Sequence, residues 1–310
     1  MNQEGVALLL TLLIIFTLVG LTVGFSQESS VELNLAGFAR DEARATAAAR
    51  AGFAFALSVL KADDPETDSL REDWGSFGKD IPLQHGPEIT VTGFMRDENG
   101  KINVNTLLTK EGTIDPAGRK RIERLFALLG LGEEQLDPLL DWLDKDDVKR
   151  MEGAEDFYYQ NLDIPYPCGN GPFISPGQFT LVKGFGNISL SAENPGEKLS
   201  DYLTTYSDGK ININTAPKQV LQSLDQSLDQ GIAENILEYR KENDFETIQD
   251  IRKVPGVTPA LFNVIKDTIT TKSSAFMIKM EGHCNGAVRT LTARLLRENG
   301  MFRIIYWRVS

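Results

Sequence analysis

Residues 6–25 read VALLLTLLIIFTLVGLTVGF, twenty positions without a charge. At 1.5 Å of rise per residue this run makes a helix about 30 Å long, one hydrocarbon thickness. Only MNQEG precedes it, with no Lys or Arg. A secretory signal normally opens on a basic region and closes on a small-residue cleavage site. The first proline is Pro65, and Ser26 to Lys61 is rich in Ala, Glu and Arg, all good helix formers. One continuous helix is therefore expected from Val6 to Lys61, roughly 80 Å long. A membrane span then runs directly into a rod. Along that rod Ala47, Ala48, Ala49, Ala51, Gly52, Ala54 and Ala56 are small, which lets helix backbones approach closely. Phe53, Phe55, Leu57 and Leu60 begin larger apolar faces that a sheet could cover.

With 310 residues the chain suits a stem plus two or more domains. It carries 32 basic and 44 acidic residues, a net charge of −12. That balance argues against a general phosphate-binding surface and is compatible with holding a hard cation. Cys168 and Cys284 are the two cysteines, and neither lies in a CxxC or Cys/His cluster of the zinc type. Outside the cytoplasm they form a candidate disulfide, worth about 4–5 kcal/mol by chain entropy; two free buried thiols are the alternative. The two histidines, His85 and His283, stand alone in Gly-containing loops, and no G-x-S-x-G, G-x4-G-K-[ST] or H-E-x-x-H motif is present. No catalytic residue is assigned, and the expectation is a non-enzymatic protein.

Beyond the stem, residues 63–87 are loop-like, with Pro65, Pro82, Pro87 and several Gly; Trp74 and Phe77 are expected to pin them. Glu88 to Arg96 alternates as a strand does. Asp97-Glu98-Asn99-Gly100 reads as a hairpin turn, with Lys101 to Asn105 as the return strand. An internal repeat follows: Gly100-Lys-Ile-Asn-Val-Asn-Thr106 recurs as Gly209-Lys-Ile-Asn-Ile-Asn-Thr215. Each copy reads as a short strand ending in a helix N-cap. Helices are expected over Arg119–Leu129 and Glu133–Asp144 after the first copy, and over Pro217–Leu224, Gly231–Lys241, Phe245–Arg252 and Pro259–Thr270 after the second. Between the copies, Ser175–Val182 with Gly184-Phe185-Gly186 reads as a further helix and hairpin. The tail returns to strands at Phe276–Glu281, Ala287–Leu296 and Phe302–Val309, with Asn299-Gly300 as a hairpin turn.

A short leader ending in Gly, an uninterrupted apolar helix and a helical stem resemble a type IV pilin or pseudopilin. The resemblance implies cleavage by a prepilin peptidase after Gly5 and N-methylation of Val6. The leader departs from the family in being acidic at Glu4. The mature fifth residue, Glu in most pseudopilins, is Leu10 here, as in the K-type minor pseudopilin of type II secretion. The β segments flanking an α-rich block match that member's organisation too. The expected fold is α+β: a long transmembrane and stem helix packed on an antiparallel pilin-like sheet, with an inserted SAM-like helix-hairpin-helix α-domain. The expected divisions are a leader (1–5), a transmembrane helix (6–25), a stem (26–62), a pilin-like domain (63–106 and 272–310) and the insertion (107–271). The resemblance further implies a single pass through the inner membrane, a periplasmic C-terminal domain, and a place at the pseudopilus tip with the I-type and J-type minor pseudopilins, where it helps start or cap assembly for protein export.

The densest acidic stretch, Glu133 to Asp156, lacks EF-hand spacing. Read from its residues alone it is a solvated acidic face. The resemblance implies bound calcium there, with Asp141, Asp144, Asp146, Glu155 and Asp156 as candidate ligands; the loops at 194–196 and 207–209 are a possible second site. The rival reading is a membrane-anchored DNA receptor, because residues 211–257 look like the helix-hairpin-helix of competence DNA receptors. Against it stand the Pro-Gly-Val-Thr-Pro hairpin, Glu133 and Glu134 beside Gly132, and the net charge. Nucleic acid is therefore not an expected partner.

Overall fold

The computed structural model describes residues 3–78, 83–84, 89–186 and 199–310. His85, Pro82, Pro87 and the 194–196 loop lie outside them. Helix α1 runs unbroken over Gln3–Ala62. Its apolar third is exposed throughout, from Leu8 and Leu9 to Phe25. Among the described residues it is the one helix long and apolar enough to cross a membrane. Burial begins at Ala45 and continues through Ala48, Ala49, Phe53, Ala56 and Leu60, the three-and-four spacing of one helical face. Ala47, Ala51 and Ala54 face away from that stripe and are exposed. Phe55 does as well, and rests against Phe77.

The buried face of α1 lies on a five-stranded antiparallel sheet in the order β1 (Leu83–Gln84), β2 (Ile89–Asp97), β3 (Ala275–Cys284), β4 (Ala287–Glu298), β5 (Met301–Val309). Contact is close because the sheet offers no side chain at Gly282, where a Cβ would sit 2.0 Å from the Ala45 carbonyl oxygen. Trp74, in the short helix α2 (Asp73–Ser76), is fully buried against Phe276. The expected Asn299-Gly300 hairpin is present, with φ of 51° and 76°. Asn285-Gly286, with φ of 47° and 86°, makes the β3–β4 turn by the same chemistry.

Asn99-Gly100 is not a hairpin. Neither residue takes a positive φ, and β2 pairs with β3, which lies far along the chain. Ile102–Asn103 instead pairs parallel with Leu203–Thr204. Between β2 and β3 lies a helical block with its own apolar core, running from Ile102 to Ile269 and separate from the stem–sheet core. Its helices are α3 (Pro116–Leu128), α4 (Glu133–Leu143), α5 (Asp156–Gln160), α6 (Lys218–Leu224), α7 (Gln230–Glu242) and α8 (Pro259–Ile265). Three expected helices change: Pro176–Leu181 and Ile248–Lys253 are 3-10 turns, and α8 stops at Ile265, leaving Ile269–Thr270 to pair with Ile211–Asn212.

The repeat is a structural duplication. Asn103 Oδ1 accepts a hydrogen bond from Asn105 N, and Asn212 Oδ1 one from Asn214 N. The second Asn of each copy clamps the peptide of a phenylalanine. Asn105 Nδ2 donates to Phe173 O at 2.9 Å while its Oδ1 accepts from Phe173 N at 2.7 Å. Asn214 does the same to Phe245, at 3.0 and 2.9 Å. From those phenylalanines the copies run in step. Each continues with a capping box (Ser175 and Gln178, Thr247 and Asp250), a 3-10 turn, and a left-handed glycine at Gly184 or Gly256.

Where the block leaves and rejoins the sheet, the contacts are polar and buried. Asp97 Oδ2 accepts from Ser273 Oγ (2.6 Å), Thr215 Oγ1 (2.5 Å) and Asn212 Nδ2 (3.2 Å). Asn212 Nδ2 is also close to the Asp68 carbonyl oxygen and Ser273 Oγ. Asn212→Ala is expected to destabilise the protein by roughly 1–3 kcal/mol for each buried acceptor left unpaired. Urea unfolding of the detergent-solubilised chain measures this; a change within about 0.5 kcal/mol, typical of surface sites, would contradict it.

Candidate metal centre

The two copies differ at one place. In the second, Asn243 and Asp244 alone separate α7 from Phe245; in the first, residues 144–172 separate α4 from Phe173. Connections beyond about 15 residues are uncommon in compact domains and tend to carry function. The loop folds back on α4. Trp142 anchors it through Tyr159 (5.2 Å) and a stacked Phe173 (6.0 Å), and Lys183 Nζ donates to the Glu152 and Gly153 carbonyls.

Asp137, Asp141 and Asp144 recur on α4 and its C-terminus at the spacing of one helix face, and that face meets the loop. Asp137 Oδ2 accepts from Glu152 N. Asp141, fully buried, accepts from Arg150 N and from Arg150 Nη1 at 2.5 Å. The same Nη1 lies 2.7 Å from Asp144 Oδ2. Gly153 is required here, since a Cβ would stand 1.8 Å from Asp141 Oδ2. Arg150 and Gly153 were not among the residues expected from the sequence; the signal for Arg150 was a basic residue inside an acidic run.

Three of the five expected ligands converge. One carboxylate oxygen from each of Asp144, Asp146 and Glu155 lies within 4.8 Å of the others. Glu155 is 5% exposed, and neither of its oxygens has a hydrogen-bond partner; Asp144 Oδ1 also lacks one. Burial, and then the fields of Asp141, Asp144, Asp146 and Asp147, push the Glu155 carboxyl up to about 8. A buried carboxylate without partners is costly, and oxygen donors alone suit a hard divalent ion. Asp146 is exposed and opens the group to solvent. These residues fit a calcium ion. The other two expected ligands have different work: Asp141 holds Arg150, and Asp156 Oδ1 accepts from Cys168 N at 2.9 Å.

The expected disulfide is corrected: both cysteines are free and buried. Cys168 belongs to the helical-block core, where burial raises its thiol to about 12. Cys284 packs with Ala45 and Ala287 under the stem. Separate cores hold the two sulfurs apart. Gly5 and Val6, the expected cleavage point, lie in the first turns of α1.

A membrane-length helix that becomes a stem on an antiparallel sheet, with a helical block inserted between two strands, defines a pilin-like protein. The pattern of type II secretion system protein K matches residues 100–195, and that of the helix-hairpin-helix motif matches residues 207–270. Type II secretion system protein K of Aeromonas hydrophila is 28% identical over 232 residues, covering 69% of this chain and 67% of that protein. ComE operon protein 1 of Bacillus subtilis is 44% identical over 63 residues, 20% of this chain and 30% of that protein. The fold matches a chain of the crystal structure of the GspK-GspI-GspJ complex from the enterotoxigenic Escherichia coli type 2 secretion system. The TM-score is 0.68 at 18% identity, with 92% of this chain and 99% of that one covered. The family pattern, the relatives and the fold together support a K-type minor pseudopilin of type II secretion.

Arg150→Ala leaves two buried carboxylates without their cation. In chelator-treated protein it is expected to cost about 3–5 kcal/mol, read from urea unfolding; a loss below about 1 kcal/mol, the range of exposed pairs, would contradict the pairing.

Proposed function

We propose that this minor pseudopilin sits at the tip of the type II secretion pseudopilus and starts or caps its assembly with I-type and J-type minor pseudopilins for protein export. The observation that carries this reading is the position of the helical block. It joins the sheet through Asp97, Asn212 and Ser273, and it is tied to Asp68 just past the end of α1. The mass of the block therefore stands at the end of the stem away from the apolar span. A shaft of parallel stems has room for such a mass at its end and little along its length. The GspK chain with the same fold was crystallised with GspI and GspJ.

In this reading the prepilin peptidase cuts after Gly5 and Val6 is methylated. The span stays in the inner membrane and the remainder lies in the periplasm. Leu10 fits an end position, because a buried carboxylate needs a paired charge and the last subunit has no neighbour above to supply one. Calcium at Asp144, Asp146 and Glu155 supplies the positive charge that those buried oxygens lack, holding the 144–172 loop onto α4. A nucleic-acid role is disfavoured by α7, whose exposed Glu234, Glu238 and Glu242 repeat every fourth residue along one face and would repel phosphate.

Leu10→Glu is expected to lower secretion and the yield of in-membrane crosslinks to the I-type partner, with the protein level unchanged. Wild-type secretion and crosslinking by this variant would sink the tip assignment. Calcium at 100 times its Kd should stabilise the chelator-treated protein by about 2.7 kcal/mol, seen as a rise in Tm. Glu155→Gln should lower that rise, and a full rise in the variant would place the ion elsewhere.

A further inference from the structure

A second group of acids lies at the polar junction between the stem and the helical block. We propose that Asp63, Asp68 and Glu72 form a further divalent-cation site, suited to calcium, that fastens the end of the stem helix to the strand leaving the helical block. One carboxylate oxygen from each lies within 4.8 Å of the others. The three come from three places: Asp63 directly follows α1, Asp68 lies in the loop beyond, and Glu72 caps α2.

The independent observation is Asp68. It is 0% exposed. Its Oδ2 accepts from Ser273 N at 2.7 Å and from Arg297 Nη1 at 2.8 Å, while its Oδ1 has no hydrogen-bond partner. Asp63 Oδ2 also lacks one; Arg297 Nη2 is 3.8 Å away. Glu72 Oε2 is held in place by Ser69 N and Trp74 Nε1, at 2.9 and 2.6 Å. One guanidinium thus faces two carboxylates, Asp68 and Asp63, and among the described residues no ion pair reaches Glu72. The adjoining cavity, of 480 Å³, is lined by two more acids, Asp64 and Asp73, besides Asp63 and Glu72. Burial raises the carboxyls of Asp63, Asp68 and Glu72, that of Asp68 to about 7, as expected of an anionic group short of cations.

All the donors are oxygens, and the space beside them admits water. Calcium accepts six to eight such ligands in irregular geometry, whereas magnesium demands a near-ideal octahedron. The ion would act on the junction directly. Asp68 N donates to Thr271 O, and its carboxylate receives Ser273 N, so whatever holds Asp68 also holds the chain where it returns to β3. The site stands apart from the acids of α4 and does not depend on them.

The test is hydrogen–deuterium exchange on the full chain in detergent, with and without calcium, with bound calcium counted by equilibrium dialysis. At calcium ten times its Kd, exchange over residues 64–76 should slow about tenfold. The slowing should persist in Asp144→Asn/Glu155→Gln and vanish in Asp63→Asn/Glu72→Gln, which should bind one calcium fewer than the wild type. No slowing in the wild type overturns the proposal without reference to any variant's folding. Slowing that survives in Asp63→Asn/Glu72→Gln, or that is lost in Asp144→Asn/Glu155→Gln, overturns it too. Only the last result would trace the effect to the α4 acids.

Discussion

The buried contact between Asp97 and the Asn212–Ser273 pair holds the two halves of this protein in register. An insertion between two paired strands leaves and returns at neighbouring points, and both ends must be held or the block hangs from a hinge. Apolar packing does not do this, since the cores of the sheet and the block are separate. Hydrogen bonds do. Asn99, wholly buried, accepts from Ser274 N, Ser274 Oγ and Ala275 N through Oδ1 and donates to Asp208 Oδ1 and Lys210 O through Nδ2. Asp97 is pushed up to about 6 chiefly by burial, against which the donors Ser273, Thr215 and Asn99 work. Such a network adds modest net stability but strong geometric selection, because any displaced arrangement strands a buried polar group.

That network explains which parts of the fold were legible in the sequence. The stem, the β4–β5 hairpin and most helices announce themselves through local periodicity and turn chemistry. Asn99-Gly100 carries the same dipeptide as Asn299-Gly300, yet its asparagine is spent on Ser274 and Ala275, more than 170 residues away. Local turn propensity yielded to a distant partner. The GKIN repeat was visible as letters, but its work was not. The peptides clamped by Asn105 and Asn214 lie 68 and 31 residues downstream, beyond any local pattern.

The acidic site was half legible for a similar reason. Composition and resemblance singled out the stretch in which Asp144, Asp146 and Glu155 meet. Which acids are left over for an ion is decided by who takes the others: Arg150 takes Asp141, and the Cys168 amide takes Asp156. The cysteines failed more simply. A spacing says nothing about which core a residue joins, and Cys284, paired with Ala287 in the β3–β4 register, packs with it against Ala45 of the stem.

The duplication gives the acidic loop a physical setting. The second copy passes from α7 to its clamped phenylalanine almost directly, so that route is sufficient for the unit to fold. The first copy inserts residues 144–172 into the same connection and must meet the added closure entropy, which grows slowly with length, and the burial of several carboxylates, which is far more costly. Arg150 answers part of that charge and leaves Glu155 unanswered. At the junction Arg297 does the same for Asp68 and leaves its second oxygen open. Each deficit sits where a connecting segment is pressed onto a rigid element: the 144–172 loop onto α4, and the end of α1 onto the return to β3. A hard cation is the one partner that can satisfy several carboxylates at once without adding a side chain. Binding at these two places would stiffen the path from stem to block, so that the orientation of the stem in the membrane would set the position of the block outside it.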